Sequence, residues 1–389
     1  MRAFAVCCGL AAWALVGGTG WAQPTVSSVT PLANSHTAAV TTAIVPVFST
    51  NMSAATTSTF AVHGGMTGKR TGVYSGGGTA TITFTPTAQF KPGELVQVTF
   101  TGGATAGYTN TANTPIESGG FVYRFRVAAG SGPANFTGRR HIGPSTGGET
   151  MALGAADVDN DGDIDIVAGD LGGQNAVYKQ DGGEFDITSN FGPGTDQTYG
   201  LALGDLNGDG FIDVALAQYN SSNAAYLNDS AGNFTGTTFN LHTCKDVGLG
   251  DFNGDGSLDY LISGDLNIRT IFFNNGAGGA SHFSNFASVT NTPTDLAFGD
   301  TDGDGDLDVA VTNDGNVQHV VYLNDGVGNM NAGTDDYATG AVNGRGVVLG
   351  DIDGDGDLDV GTANYGNQNW FDLNDGAGNF VGGPNNFGT

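Results

Sequence analysis

Between residues 24 and 128 apolar and polar positions alternate in short runs. Ala43-Ile-Val-Pro-Val-Phe48, Ala80-Thr-Ile-Thr-Phe-Thr85, Leu95-Val-Gln-Val-Thr-Phe100 and Phe121-Val-Tyr-Arg-Phe-Arg-Val127 are rich in Val, Thr and Phe. Gly76-Gly-Gly78 and Lys91-Pro-Gly93 punctuate them. β-Branched and aromatic residues suit a pleated, half-buried surface, and Gly and Pro supply the turns. The spacing predicts a small antiparallel β-sandwich.

Residues 135–389 have a longer rhythm. The word Asp-x-(Asp/Asn)-x-Asp-Gly-x-x-Asp begins at Asp157, Asp205, Asp251, Asp300 and Asp351, at intervals of 48, 46, 49 and 51 residues. An apolar stretch precedes each copy (Leu201-Ala-Leu203, Val347-Val-Leu349) and another follows (Val214-Ala-Leu216, Val309-Ala-Val311). An aromatic strand comes next and ends in an Asn/Asp/Gly turn, as in Tyr226-Leu-Asn-Asp229. A Phe such as Phe234 or Phe380 then opens a fourth strand. Four strands per repeat predict a β-propeller with about five visible four-stranded blades, so the fold class is all-β. Residues 129–134 read as a Gly/Pro/Ser linker. The strand Asn135–Ile142 is the candidate to pair with the last blade and close the ring.

The N-terminus reads as an export signal. Arg2 precedes an apolar run from Ala3 to Gly18, and Gly20-Trp21-Ala22 places small residues for cleavage before Gln23. Residues 1–22 are therefore expected to be removed, leaving a secreted or cell-surface protein with no membrane insertion. Only Cys244 then remains, so no intrachain disulfide is expected and the loops need another staple.

Charge separates the two halves. Residues 1–134 carry a net +4 and residues 135–389 a net −31. No Asp occurs before Asp157, and only four of the 39 acids are Glu. Twelve cations against 39 acids exclude a nucleic-acid partner. Asp without Glu suits tight loops that ligate a hard cation.

The five loops concentrate these acids. They comprise Asp157, Asp159, Asp161, Asp163 and Asp165; Asp205, Asn207, Asp209, Phe211 and Asp213; Asp251, Asn253, Asp255, Ser257 and Asp259; Asp300, Asp302, Asp304, Asp306 and Asp308; and Asp351, Asp353, Asp355, Asp357 and Asp359. Side-chain oxygens recur at positions 1, 3, 5 and 9, and Gly at position 6 permits the turn that aims them together. Phe211 shows that position 7 contributes its backbone carbonyl. Twenty-one Asp side chains packed this way repel one another unless neutralised. Six to eight oxygen ligands favour Ca²⁺ over Mg²⁺, giving about five Ca²⁺ sites. An EF-hand would need Glu at position 12, where Ala168, Leu216, Ile262, Val311 and Thr362 stand.

Two resemblances follow from these words. Pro24-Thr-Val-Ser-Ser-Val-Thr-Pro31, Phe48-Ser-Thr-Asn-Met52 and Thr83-Phe-Thr-Pro86 make residues 24–128 similar to the bacterial Ig-like domain of the SbsA type, whose members mostly serve as spacers. The Asp words make residues 135–389 resemble the FG-GAP/VCBS repeats of the integrin α-chain propeller. That resemblance implies a structural ion in each hairpin loop, held by the side chains at positions 1, 3, 5 and 9.

Other features carry less. Gly143–Gly147 formally fits a nucleophile elbow but lacks a following helix, and reads as a turn. Tyr178, Tyr226, Phe272, Tyr322 and Phe371 recur once per repeat and read as inter-blade core. Tyr219, Tyr365 and Trp370 lie beside Asn/Gly loops, where surface packing outranks glycan stacking. Met66–Arg70 reads as a basic solvated turn. The expected function is a calcium-binding, non-catalytic binding or adhesion module for an extracellular glycan or protein surface. The alternative is an exported polysaccharide-acting lyase or hydrolase, or its accessory subunit.

Overall fold

The computed structural model describes residues 23–56, 58–102, 107–116, 120–129, 149–181, 184–240, 243–264, 268–286, 292–315 and 317–382. The expected signal peptide, most of the linker, the candidate closing strand and the Gly143–Gly147 turn lie outside the described residues. The elements are all strands, and among the described residues no helix is long and apolar enough to cross a membrane.

The first unit is a sandwich. One sheet pairs Val26–Thr30 with Val45–Phe48 and reaches the Gly72–Ser75/Thr83–Pro86 hairpin through bridges at Ile44–Phe84 and Val47–Thr81. The other runs Gly68–Lys69, Phe60–Gly64, Leu95–Phe100, Phe121–Arg126. Alternate residues face inward, so Phe60, Val62, Val96, Val98, Phe100, Tyr123 and Phe125 meet Phe48 and Phe84 in one core. Phe60 and Phe100 stack edge to face with centroids 4.6 Å apart.

The outward positions of that second sheet are buried as well. Ala61 and His63, Gln97 and Thr99, and Val122 are all below one-tenth exposed. A polar alternate face ordinarily signals solvent. Here the Asp-loop end of the second unit covers it.

Among the described residues the second unit comprises five antiparallel four-strand blades in sequence, the first two joined by a Leu171–Gln197 pairing into one eight-stranded sheet and the last two sharing a strand in a seven-stranded one. Blade one is Glu149–Ala156, Asp165–Leu171, Asn175–Asp181 and Glu184–Phe191. Blade two is Gln197–Gly204, Asp213–Tyr219, Asn223–Asn228 and Phe234–Asn240. Blade three is Asp246–Gly250, Asp259–Gly264, Ile268–Asn274 and Ala280–Asn285. Blade four comprises Pro293–Gly299, Asp308–Asn313, Val317–Asn324 and the start of the 21-residue strand Met330–Gly350. The end of that strand begins blade five, with Asp359–Tyr365, Trp370–Asn374 and Phe380–Gly382. The chain passes between these two blades as one continuous strand.

Cores form between blades. Leu249, Tyr260, Ile262 and Phe272 of blade three pack on Ala215, Ala217 and Ala225 of blade two. Gly248 lies so close to blade four that a Cβ there would sit 2.8 Å from the Phe298 ring. Tyr178, Tyr226, Phe272 and Tyr322 are buried as their periodicity predicts, whereas Phe371 of the last blade is only half-buried. The end blades differ. Leu153 of blade one is 68% exposed and Val348 of blade five 66%, whereas Val247 in the register position of Leu153 is 5% exposed. Among the described residues no strand pairing joins blade five to blade one.

Candidate metal centres

Each Asp word forms the hairpin loop between the first and second strands of its blade. Position 6 requires glycine in all five, with φ of +98° at Gly162, +91° at Gly210, +96° at Gly256, +100° at Gly305 and +101° at Gly356. Position 4 is left-handed too. Asn160 (φ +58°) stands there in loop one and Gly208, Gly254, Gly303 and Gly354 in the others. The sequence shows that Asn/Gly choice, but its meaning emerges only from the backbone.

Side chains cap the loop amides in a ladder. Position 1 accepts from the amides of positions 4 to 6, as when Asp205 takes Gly208 N at 2.8 Å and Gly210 N at 2.9 Å. Position 3 accepts from position 5 (Asn207 from Asp209 N, 3.0 Å), and position 5 from position 7 (Asp209 from Phe211 N, 2.9 Å). Asp157, Asp159 and Asp165 bring ligand oxygens within 4.8 Å of one another. Asp300, Asp302 and Asp304 do the same, as do Asp351, Asp353 and Asp355. Loops two and three carry Asn at position 3, so they gather fewer charges. At position 7 the Asp306 carboxylate lies 3.8 Å from Lys69.

Position 9 has a second task. Asp213 Oδ2 accepts from Leu206 N at 2.8 Å and its Oδ1 from Asn228 N at 2.8 Å. Asp165, Asp259, Asp308 and Asp359 repeat the pattern, bracing loop to third strand while keeping lone pairs for a ligand. Burial, reinforced by the loop's other carboxylates, pushes Asp213 up to about 7 and Asp259 up to about 8. Asp300 and Asp308 are held well above the usual carboxylate range by the same causes.

The residues fit a hard cation. Asp159 Oδ1 and Asp251 Oδ1 are buried without a hydrogen-bond partner, in loops where acids crowd one another. A divalent ion would satisfy such oxygens and offset the repulsion. Positions 1, 3, 5 and 9 and the position 7 carbonyl would hold it.

Sequence reasoning missed a recurring asparagine. Asn274 Nδ2 donates to Leu258 O of its own loop at 2.9 Å and to Leu206 O of the preceding blade's loop at 2.7 Å. Asn228, Asn324 and Asn374 make the same pair of bonds. In blades two to five the Asn ending the aromatic strand is thus an inter-blade bracket as well as a turn residue, while blade one has Gln180 in that place.

The sandwich seats on loops two to five. Asp205 N donates to Met66 O at 2.9 Å, and Lys91 Nζ to Gly210 O. Gly68 closes on Gly256 of loop three. His63 Nε2 bonds Gly305 O at 3.0 Å, and Val122 N donates to Gly356 O at 2.7 Å. Arg124 donates to Phe298 O and Leu349 O, both at 3.0 Å, while Gln97 Oε1 accepts from its Nε at 3.0 Å. Burial holds His63 down at about 4 and Arg124 down at about 10. The Met66–Arg70 segment, expected to be a solvated turn, is part of this seat. A cavity of about 580 Å³ lies beside it, between Lys69, Arg70 and Lys91 and the loops at Asp205 and Gly256.

The loops and blades together define a class. The FG-GAP-like repeat family matches residues 157–216, 205–262, 251–311 and 300–362, each match running from one Asp loop through the next. The chain belongs to the FG-GAP-like repeat family, and residues 22–127 match the bacterial Ig-like domain. Among solved structures, the V. cholerae biofilm matrix protein Bap1 is similar at 17% identity and a TM-score of 0.40. That match covers 61% of this chain and 39% of Bap1, so the chain spans well under half of its length. BBS1N, from its complex with ARL6DN, matches at 11% identity and a TM-score of 0.37, over 88% of this chain and 94% of that one. The surface layer protein SbsC matches at 13% identity and a TM-score of 0.19, over 92% of this chain and 58% of that one. No curated protein matches the chain.

Proposed function

We propose that this protein is a secreted, calcium-stabilised binding or adhesion module that engages an extracellular glycan or protein surface and catalyses nothing. Five Asp loops in register, with buried unpartnered oxygens at Asp159 and Asp251, carry the reading. Bound Ca²⁺ would neutralise the crowded carboxylates and hold the loops rigid. The blades then present turns at the far end whose sequences differ from repeat to repeat, a layout suited to recognition. Export follows from the Arg2–Ala22 segment. A binding array of glycans and matrix proteins, run beside a turnover assay on polysaccharides, tests it. Saturable binding without turnover supports the module; turnover abolished by one far-face substitution would overturn it.

One observation favours the enzymatic alternative. Burial, with Asp295 nearby, raises Asp246 to about 6; Asp246 opens the first strand of blade three and Asp295 is the third residue of that of blade four, both at the end opposite the metal loops. Loss of turnover in Asp246→Asn with an unchanged melt would select that reading.

A further inference from the structure

We propose that this protein assembles head to tail, the open face of blade five in one copy seating on the open face of blade one in the next. A size code at the blade junctions carries the proposal, which stands apart from any extracellular ligand. Each blade turns toward its successor the first-strand residue that pairs with the second residue after position 9. In blades one to four that residue is small, namely Gly154, Ala202, Gly248 and Ala297. The successor answers with bulk. A Cβ on Gly154 would sit 2.6 Å from Leu201 and 2.7 Å from Leu203, and one on Gly248 2.8 Å from Phe298. Ala202 shares a core with Val247 and Leu249, and Ala297 shares one with Val347 and Leu349.

The two ends invert this code. Blade five has Val348 at the small position, 66% exposed. Blade one has Ala155 in the register of Leu203, Leu249, Phe298 and Leu349. Ala155 is exposed, and Leu153, in the register of Leu201, is 68% exposed. A successor bearing the usual Leu would crowd Val348, and a predecessor bearing the usual Gly would leave a void over Ala155. Val348 against Leu153 and Ala155 sets as many side-chain carbons in the junction as Gly154 against Leu201 and Leu203. The two ends therefore complement each other as the internal blades do.

Within one chain they stand apart, since both are exposed, and the sandwich holds loops two to five in place. A second copy supplies the missing face with no rearrangement. Val381, 67% exposed, and half-buried Phe371 widen the apolar face of blade five. None of these side chains is charged, and the internal junctions already set equally acidic blades side by side. Burying exposed apolar surface drives the contact, and a head-to-tail contact that does not close gives an open chain of copies.

The test is sedimentation velocity of the full-length protein in calcium, in salt whose screening length is about 8 Å. The wild type should form dimers and longer species as concentration rises. Leu153→Asn disables one end and Val348→Asn the other. Both replacements are neutral and both side chains are two-thirds exposed, so the melting temperature should stay. Either variant alone should need at least about tenfold higher concentration to assemble. Mixed in equal amounts, they keep one sound end each and should form one-to-one dimers at wild-type concentrations and nothing longer. Val348→Gly should weaken assembly, and Ala155→Leu in the same chain should restore it. A wild type that stays monomeric at every concentration, variants that assemble as the wild type does, or a mixture no better than either variant alone would overturn the proposal.

Discussion

Thr99 Oγ1, on the sandwich, donates a 2.6 Å hydrogen bond to Asp300 Oδ2, position 1 of the fourth metal loop, and both residues are fully buried. One domain therefore orients a candidate metal-binding carboxylate of the other. A partner that orients a ligating carboxylate tunes the site as much as the ligand itself. Thr99→Val keeps the shape and removes the donor. It should cost about 1.5–3 kcal/mol in a calcium-loaded melt, because a charge-assisted bond in a buried site is lost. Calorimetric titration should show one calcium site weakened and the others unchanged.

Arg124 joins Gln97 to carbonyls of blades four and five. Its removal leaves those buried acceptors unmet. Arg124→Ala should destabilise by on the order of 3 kcal/mol and split one unfolding transition into two, as the sandwich loses its seat. Differential scanning calorimetry reads this directly; a single transition at the wild-type temperature would refute it.

Asn274→Ala should cost about 2–4 kcal/mol, since Leu206 O and Leu258 O both lose their donor inside the protein. An exposed relative such as Asn367→Ala should stay within about 0.5 kcal/mol. Denaturant unfolding of the two variants makes the comparison.

What the sequence shows depends on how local the cause is. The Asp words predict the loops because Gly at position 6 and alternating oxygens are consequences of short-range backbone geometry, and Gly162 to Gly356 bear this out. The aromatic stripe is legible for the same reason. The seating of the sandwich is not, because Gln97, Thr99 and Arg124 alternate with apolar residues as any solvated strand face does. Their burial is fixed by loops some two hundred residues away, as with Thr99 and Asp300. The Asn274 bracket hid inside a turn motif, since Asn ends strands for several reasons.

Stability should change with pH in opposite directions with and without metal. In the metal-free protein Asp213 and Asp259 titrate at about 7 and about 8, above their ordinary 3.8. A carboxyl raised on folding favours the native state when protonated, so metal-free stability falls as pH rises from about 4 to about 8. Calcium binds the ionised carboxylates, so the loaded protein loses stability as pH falls through the acid range. Melts of calcium-loaded and chelator-dialysed protein across that range should slope oppositely; parallel slopes would contradict the account.

The most direct measurement of the central claim is the melting temperature of the full-length protein in millimolar calcium and again in excess chelator at neutral pH. Each occupied site adds about 2.7 kcal/mol at a hundredfold excess over its Kd. The account predicts a large fall on chelation, restored by calcium and far less by magnesium. A melting temperature unmoved by chelator would contradict it.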